Sequence, residues 1–106
     1  MILAQGTLSS TDAVIFTGSS KKGLTDYINA DIFYNAHTGD AGVNLFVVPN
    51  GETKGEQHRV ASATIVHATK TSFEFDMKAW SLNEGDKIWA SSDVDGVVNY
   101  TLFGEE

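Results

Sequence analysis

The chain has 106 residues, with seven Lys and Arg against fourteen Asp and Glu, no cysteine and one proline. That length fits a single domain over 1–106, and the formal charge of −7 repels nucleic acid phosphates and anionic lipid alike. The lack of cysteine excludes disulfide frameworks, thiolate zinc sites and cysteine nucleophiles.

The hydrophobic share of 42 % with 10 % aromatics is that of a chain that folds. The opening, Met1-Ile2-Leu3-Ala4-Gln5-Gly6, has neither the basic start nor the long apolar stretch of a secretory signal, and no window approaches a membrane span. Neither export by the general route nor membrane insertion is expected.

Period-two alternation runs along the chain and predicts strands at 2–8, 12–17, 24–36, 42–48, 58–68, 72–78, 86–91 and 96–103. In the second, Ala13-Val14-Ile15-Phe16 is apolar on both faces. In the third, the even positions from Leu24 to Ala36 form the apolar face and the odd positions a mixed one. This places Asp26 and Asp31 on opposite faces, with Asp26 near the strand start beside solvent. The fourth, around Val43, Leu45 and Val47, ends in the doubly apolar Leu45-Phe46-Val47-Val48. The polar stretch 51–57 reads as a solvated surface loop. Alternation resumes at Ala61, Ala63 and Ile65, at Phe73, Phe75 and Met77, and at Val98, Tyr100 and Leu102.

Turn-forming clusters separate these runs: Gly18-Ser19-Ser20, His37-Thr38-Gly39-Asp40, Pro49-Asn50-Gly51, Asn83-Glu84-Gly85-Asp86 and Asp93-Val94-Asp95-Gly96, the last read as a hairpin turn. Eight strands at this spacing, with no helical period between them, predict an all-β fold. The expected architecture is a single antiparallel β-sandwich with jelly-roll topology.

Chemistry-bearing residues are scattered. His37 sits in a turn, His58 opens a strand and His67 lies within one, with no ligand spacing linking them. Asp93-Val94-Asp95-Gly96 resembles the start of a calcium loop, but the twelfth position, which must be a bidentate Glu, is Gly104. Nucleophile-elbow and phosphate-loop motifs are absent. The expectation is therefore no enzymatic activity, no metal and no cofactor.

Trp80 and Trp89, with Tyr27, Tyr34 and Tyr100, supply flat rings suited to sugar stacking, but packing explains them better. Trp89 alternates with Ile88, so one of the two faces outward. Trp80 is placed to seal the end of the sandwich. A free sandwich keeps one face of each sheet wet, so the doubly apolar strands imply that something covers their second face. Val14, Phe16, Phe46, Val48, Trp80 and Trp89 are accordingly the candidate interface. A partner subunit is the expected cover, since a chain of this length has few residues to spare for loops that fold back.

Three segments carry a resemblance: Leu45-Phe46-Val47-Val48-Pro49-Asn50-Gly51, Ser81-Leu82-Asn83-Glu84-Gly85-Asp86-Lys87-Ile88-Trp89-Ala90, and Gly96-Val97-Val98-Asn99-Tyr100-Thr101-Leu102-Phe103-Gly104-Glu105. Their order, a hydrophobic strand ending in Val-Pro-Asn-Gly, a Leu-x-x-Gly-Asp-x-Ile turn and strand, and a closing Val-Asn-x-Thr-x-x-Gly strand, resembles that of small β-sandwich virion proteins of tailed bacteriophages. The similarity covers about residues 40 to 106. It implies a structural role as a head decoration (cement) protein, a homotrimer bound to the major capsid protein on the outside of the virion after synthesis in the host cytoplasm. Tail or baseplate association, or a carbohydrate-binding module, is the alternative. No catalytic residue carries over, and neither nucleic acid nor membrane is an implied partner.

Overall fold

In the computed structural model, which describes residues 1–19, 25–67, 72–75, 77 and 80–105, two antiparallel sheets pack face to face. The strands are β1 (Ile2–Thr7), β2 (Ala13–Thr17), β3 (Asp26–Asn35), β4 (Ala41–Val48), β5 (Arg59–Ile65), β6 (Ser72–Phe73), β7 (Trp80–Leu82), β8 (Lys87–Ser92) and β9 (Val98–Glu105), with one 3-10 turn at Glu56–His58. The first sheet has the order β1-β9-β3-β6, with β7 also paired to β3, and the second has the order β2-β8-β4-β5. Consecutive strands alternate between the sheets except at β4–β5 and β6–β7. The chain thereby winds around its core as two Greek keys, which is the jelly roll expected. Among the described residues no helix is long and apolar enough to cross a membrane.

The core lies between the sheets. Leu8, Ile28, Phe33, Leu45, Ile88 and Leu102 are all at most 2 % exposed, and each such side chain contributes roughly 1.5–3 kcal/mol through burial. Ile88 points inward, so Trp89 is the outward member of that pair.

β3 departs from the simple alternation. Its inward residues are Asp26 and Ile28, then Asp31, Phe33 and Asn35, while Ile32 and Tyr34, expected on the apolar face, are exposed. The cause is a bulge: the register of β3 against β9 slips between Ile28 and Ala30, and one extra residue swaps the faces of everything beyond it. Both carboxylates are therefore buried on the same side, which corrects the expectation that Asp26 meets solvent and that the two acids face apart. Asp26 accepts a hydrogen bond from the Ser19 amide.

Gly104 lies opposite Ile28 at this bulge, where a Cβ would run into the Tyr27 carbonyl oxygen. Gly104→Ala is expected to destabilise the fold by about 2 kcal/mol, because backbone atoms cannot yield as a side chain does. A lower urea midpoint at unchanged m value is the readout.

The predicted sixth strand, 72–78, is shortened, and an unpredicted strand, β7, follows it, which makes nine strands of the expected eight. β6 keeps two residues, and β7, too short to show a period in the sequence, pairs further along the same edge of β3. The Asp95-Gly96 turn has the expected positive φ at Gly96, 73°, but it is not a hairpin: β8 and β9 belong to different sheets. His58 belongs to the 3-10 turn and His67 lies beyond the end of β5. Ser20, Leu24, Ala68 and positions 76 and 78, assigned to turns or strands from the sequence, lie outside the described residues.

Candidate interface surfaces

The titratable side chains serve the backbone. Asp93 accepts from the Gly42 amide at 2.6 Å and Asp95 from the Ser10 amide at 3.0 Å, so the calcium-like stretch ties loops together. Asn35, fully buried, donates to the carbonyls of Gly39 and Ile65 and accepts from the His37 amide. The His67 amide reaches Asp40 at 3.3 Å. Among the described residues no group of three or more His, Asp or Glu is placed to hold a metal ion.

The two turn motifs behind the phage resemblance meet in space. Pro49 and Glu52 close a turn with Gly51 at φ 87°, and Asn83 and Asp86 close another with Gly85 at φ 84°. The Asp86 carboxylate joins them, accepting from the Asn50 amide on one oxygen and the Asn83 amide on the other, both at 2.9 Å. Gly and Asp in these motifs are thus demanded by turn geometry.

The outer face of the second sheet is where the candidate interface was expected, and residues 49–58 close over part of it as a strap. Lys54 places its ammonium 4.1 Å from the centre of the Phe46 ring and pairs with Asp12 at 2.9 Å. Arg59, beside Phe46 in the β4–β5 ladder, stacks its guanidinium 4.8 Å from the same ring and bonds Glu56 and Asn44. Within the strap, His58 accepts the Gly55 amide proton at Nδ1. Its proton therefore resides on Nε2, which donates to Glu52 at 2.9 Å.

Phe46 and Val48 are 1 % and 2 % exposed, so the expectation that they meet a partner is corrected: within the same chain both are buried, Phe46 under Lys54 and Arg59. Phe16 is corrected too. A bulge between Val14 and Phe16 in the β2–β8 ladder turns Phe16 toward the core. Trp80 likewise packs against the core. Trp89 is half-buried beside Phe46, with its indole N–H enclosed and without an acceptor among the described residues. Of the six residues, Val14 is the one left widely exposed, at 40 %.

Acid is expected to weaken the ion pairs of the strap. Partial burial pulls the Asp12 carboxyl upward, but the Ser91 hydroxyl and the Lys54 ammonium outweigh that and hold it below its ordinary value of 3.8. The Arg59 guanidinium likewise lowers Glu56. A carboxyl lowered on folding adds stability that is present above its ordinary value and lost as the pH falls through the folded one. The melting temperature of the wild type should therefore exceed that of Asp12→Asn by a constant margin well above the ordinary carboxyl value of 3.8, and the margin should shrink as the pH falls below that value. A margin independent of pH would show that Asp12 contributes no charge interaction.

The larger apolar display is on the other side of the molecule. Tyr27, Ile32 and Tyr34 stand on the outer face of the first sheet at 49 %, 39 % and 45 % exposure, and Ile32 borders a shallow open groove with Ser72, Phe73 and Glu74. Unbroken alternation assigns Ile32 and Tyr34 to the interior, and the bulge alone brings them out. A sugar-stacking platform is disfavoured here, because Tyr27 and Tyr34 are seven residues apart on β3, roughly 20 Å, beyond the span of one pyranose ring. Compared with protein-family models, with curated proteins and with solved structures, the chain finds no match in any of the three, so its surfaces carry the functional argument.

Proposed function

We propose that the chain is a non-catalytic structural module that docks on the outside of a preassembled tailed-phage capsid and strengthens it. The observation that carries this reading is the use made of the carboxylates: Asp31, Asp86, Asp93 and Asp95 each accept backbone amides, so acidic side chains are engaged in fixing loops and edges. What remains for a partner is surface. The jelly roll and the two linked turn motifs agree with the resemblance to phage virion proteins, which supplies the partner class, the major capsid protein. A net charge of −7 suits a place outside the shell, away from packaged DNA.

The mechanism is mass action. A subunit that binds only the assembled shell stabilises it by RT ln(1 + [L]/Kd) at every site, about 2.7 kcal/mol at a hundredfold excess over Kd. Particles made without this chain should assemble normally and then rupture at lower temperature or milder osmotic shock than decorated ones. Shells that fail to assemble without it, or that resist stress equally well, would rule the cement role out.

A further inference from the structure

We infer that the outer face of the first sheet is a contact between two copies of this chain, packed face to face about a two-fold axis. The inference does not rest on the capsid reading.

Charge is the first argument. The chain has seven cationic and fourteen acidic residues, yet among the described strand residues the outward side chains of this sheet include one charge, Glu105 at the end of β9. Asp26 and Asp31 point into the sandwich, and Glu74 stands at the rim. The opposite sheet carries Asp12, Lys54, Glu56 and Arg59 on or beside its outer face. Interface centres are depleted of charge and enriched in aromatic side chains, as around Tyr27, Ile32 and Tyr34. For molecules of charge −7 a neutral face is also where two copies approach with least repulsion.

Four of the polar side chains on this face are paired with one another. Gln5 donates to the Thr101 hydroxyl at 3.2 Å, and the Thr7 hydroxyl donates to Asn99 at 2.7 Å. Covering them leaves fewer unsatisfied groups than covering free amides and hydroxyls.

Area is the third argument. The four strand positions, spaced about 4.8 Å apart and averaging about seven residues at 3.3 Å because β6 and β7 are short, present roughly 450 Å² per copy. Two copies bury roughly 900 Å², the size of a weak, reversible contact. A two-fold contact needs only this one surface, because each copy offers the same patch. The trimer implied by the phage resemblance would require a second, different surface.

The test is the mass of the full chain by sedimentation equilibrium. The mass is expected to rise toward twice that of the chain between about 100 μM and the millimolar range. Ile32→Glu, placing a charge at the middle of the face, should weaken pairing by about 100-fold or more while the far-UV circular dichroism stays that of the wild type. Tyr34→Glu serves the same purpose should Ile32→Glu fold poorly, and Val14→Glu, on the opposite sheet, should leave the pair intact. A wild type that stays monomeric into the millimolar range overturns the inference, as does an Ile32→Glu or Tyr34→Glu chain that still pairs, or a pair dissociated by Val14→Glu. These measurements use the free chain, so their failure leaves the particle-stability comparison untouched, and the reverse also holds.

Discussion

Phe46→Ala is expected to lower the unfolding free energy by about 3–5 kcal/mol, the cost of a core aromatic, although Phe46 sits on the outward side of its sheet. The side chain is 1 % exposed because Lys54 and Arg59 lie across its ring while the strap behind them holds its shape through the Gly55–His58–Glu52 hydrogen bonds. Removing the ring forfeits its transfer free energy and leaves a space that the strap must collapse into or leave empty. Lys54→Ala should cost about 1 kcal/mol or less, since a partly exposed ion pair and a surface cation–π contact are each worth a fraction of that. The contrast is the informative part. Were Phe46→Ala to cost as little as Lys54→Ala, the strap would be open in solution and Phe46 already wet. Chemical denaturation of both variants beside the wild type decides it.

That pair of residues also shows where reading the sequence stops. Leu45 to Val48 is apolar at every position, which correctly signals burial on both faces, but composition does not say what does the covering. The segment 49–58 has the polarity of a solvated loop, and the cover over Phe46 rests on its Lys54 together with Arg59 of β5, two long side chains that are charged at the tip and apolar along the stem. Only their position over a ring reveals it. β3 fails for a different reason. Period two is a local rule, and a bulge is set by the partner strand, here by the close approach of Gly104 to the Tyr27 carbonyl, far away in sequence. Everything after the bulge changes face, so the outward pair Ile32 and Tyr34 was hidden while the jelly roll itself, built on strand number and turn spacing, was legible throughout.

Asp31→Ala should destabilise the protein by about 3–5 kcal/mol, and Asp31→Asn by roughly half as much. The carboxylate is 2 % exposed and accepts the amides of Phe75 at 2.6 Å and Met77 at 2.8 Å. Its place in the fold explains why it is there. β6 pairs with one end of β3 and β7 with the other, and Asp31 lies between the two ladders, where the edge strand is interrupted. Two amides of the interrupting segment would lack acceptors, and a single side chain supplies both. Beyond it, Met77 is fully buried, and Phe75 packs edge-on against Phe33 with ring centres 5.0 Å apart, so the bonds hold apolar cover over the core as well. Hydrogen bonds to a charged acceptor contribute about 1.5–3 kcal/mol each, and alanine removes both while stranding buried donors. Asparagine keeps one acceptor but turns an N–H toward the other amide. For a domain of this size 3 kcal/mol corresponds to a fall in melting temperature of about 12–24 °C. Amide exchange at Phe75 and Met77 should accelerate in the same variants while that of β8, in the other sheet, changes only as far as global stability does. If Asp31→Ala melts within a few degrees of the wild type, the segment between β6 and β7 is held by its apolar contacts alone and the carboxylate is incidental.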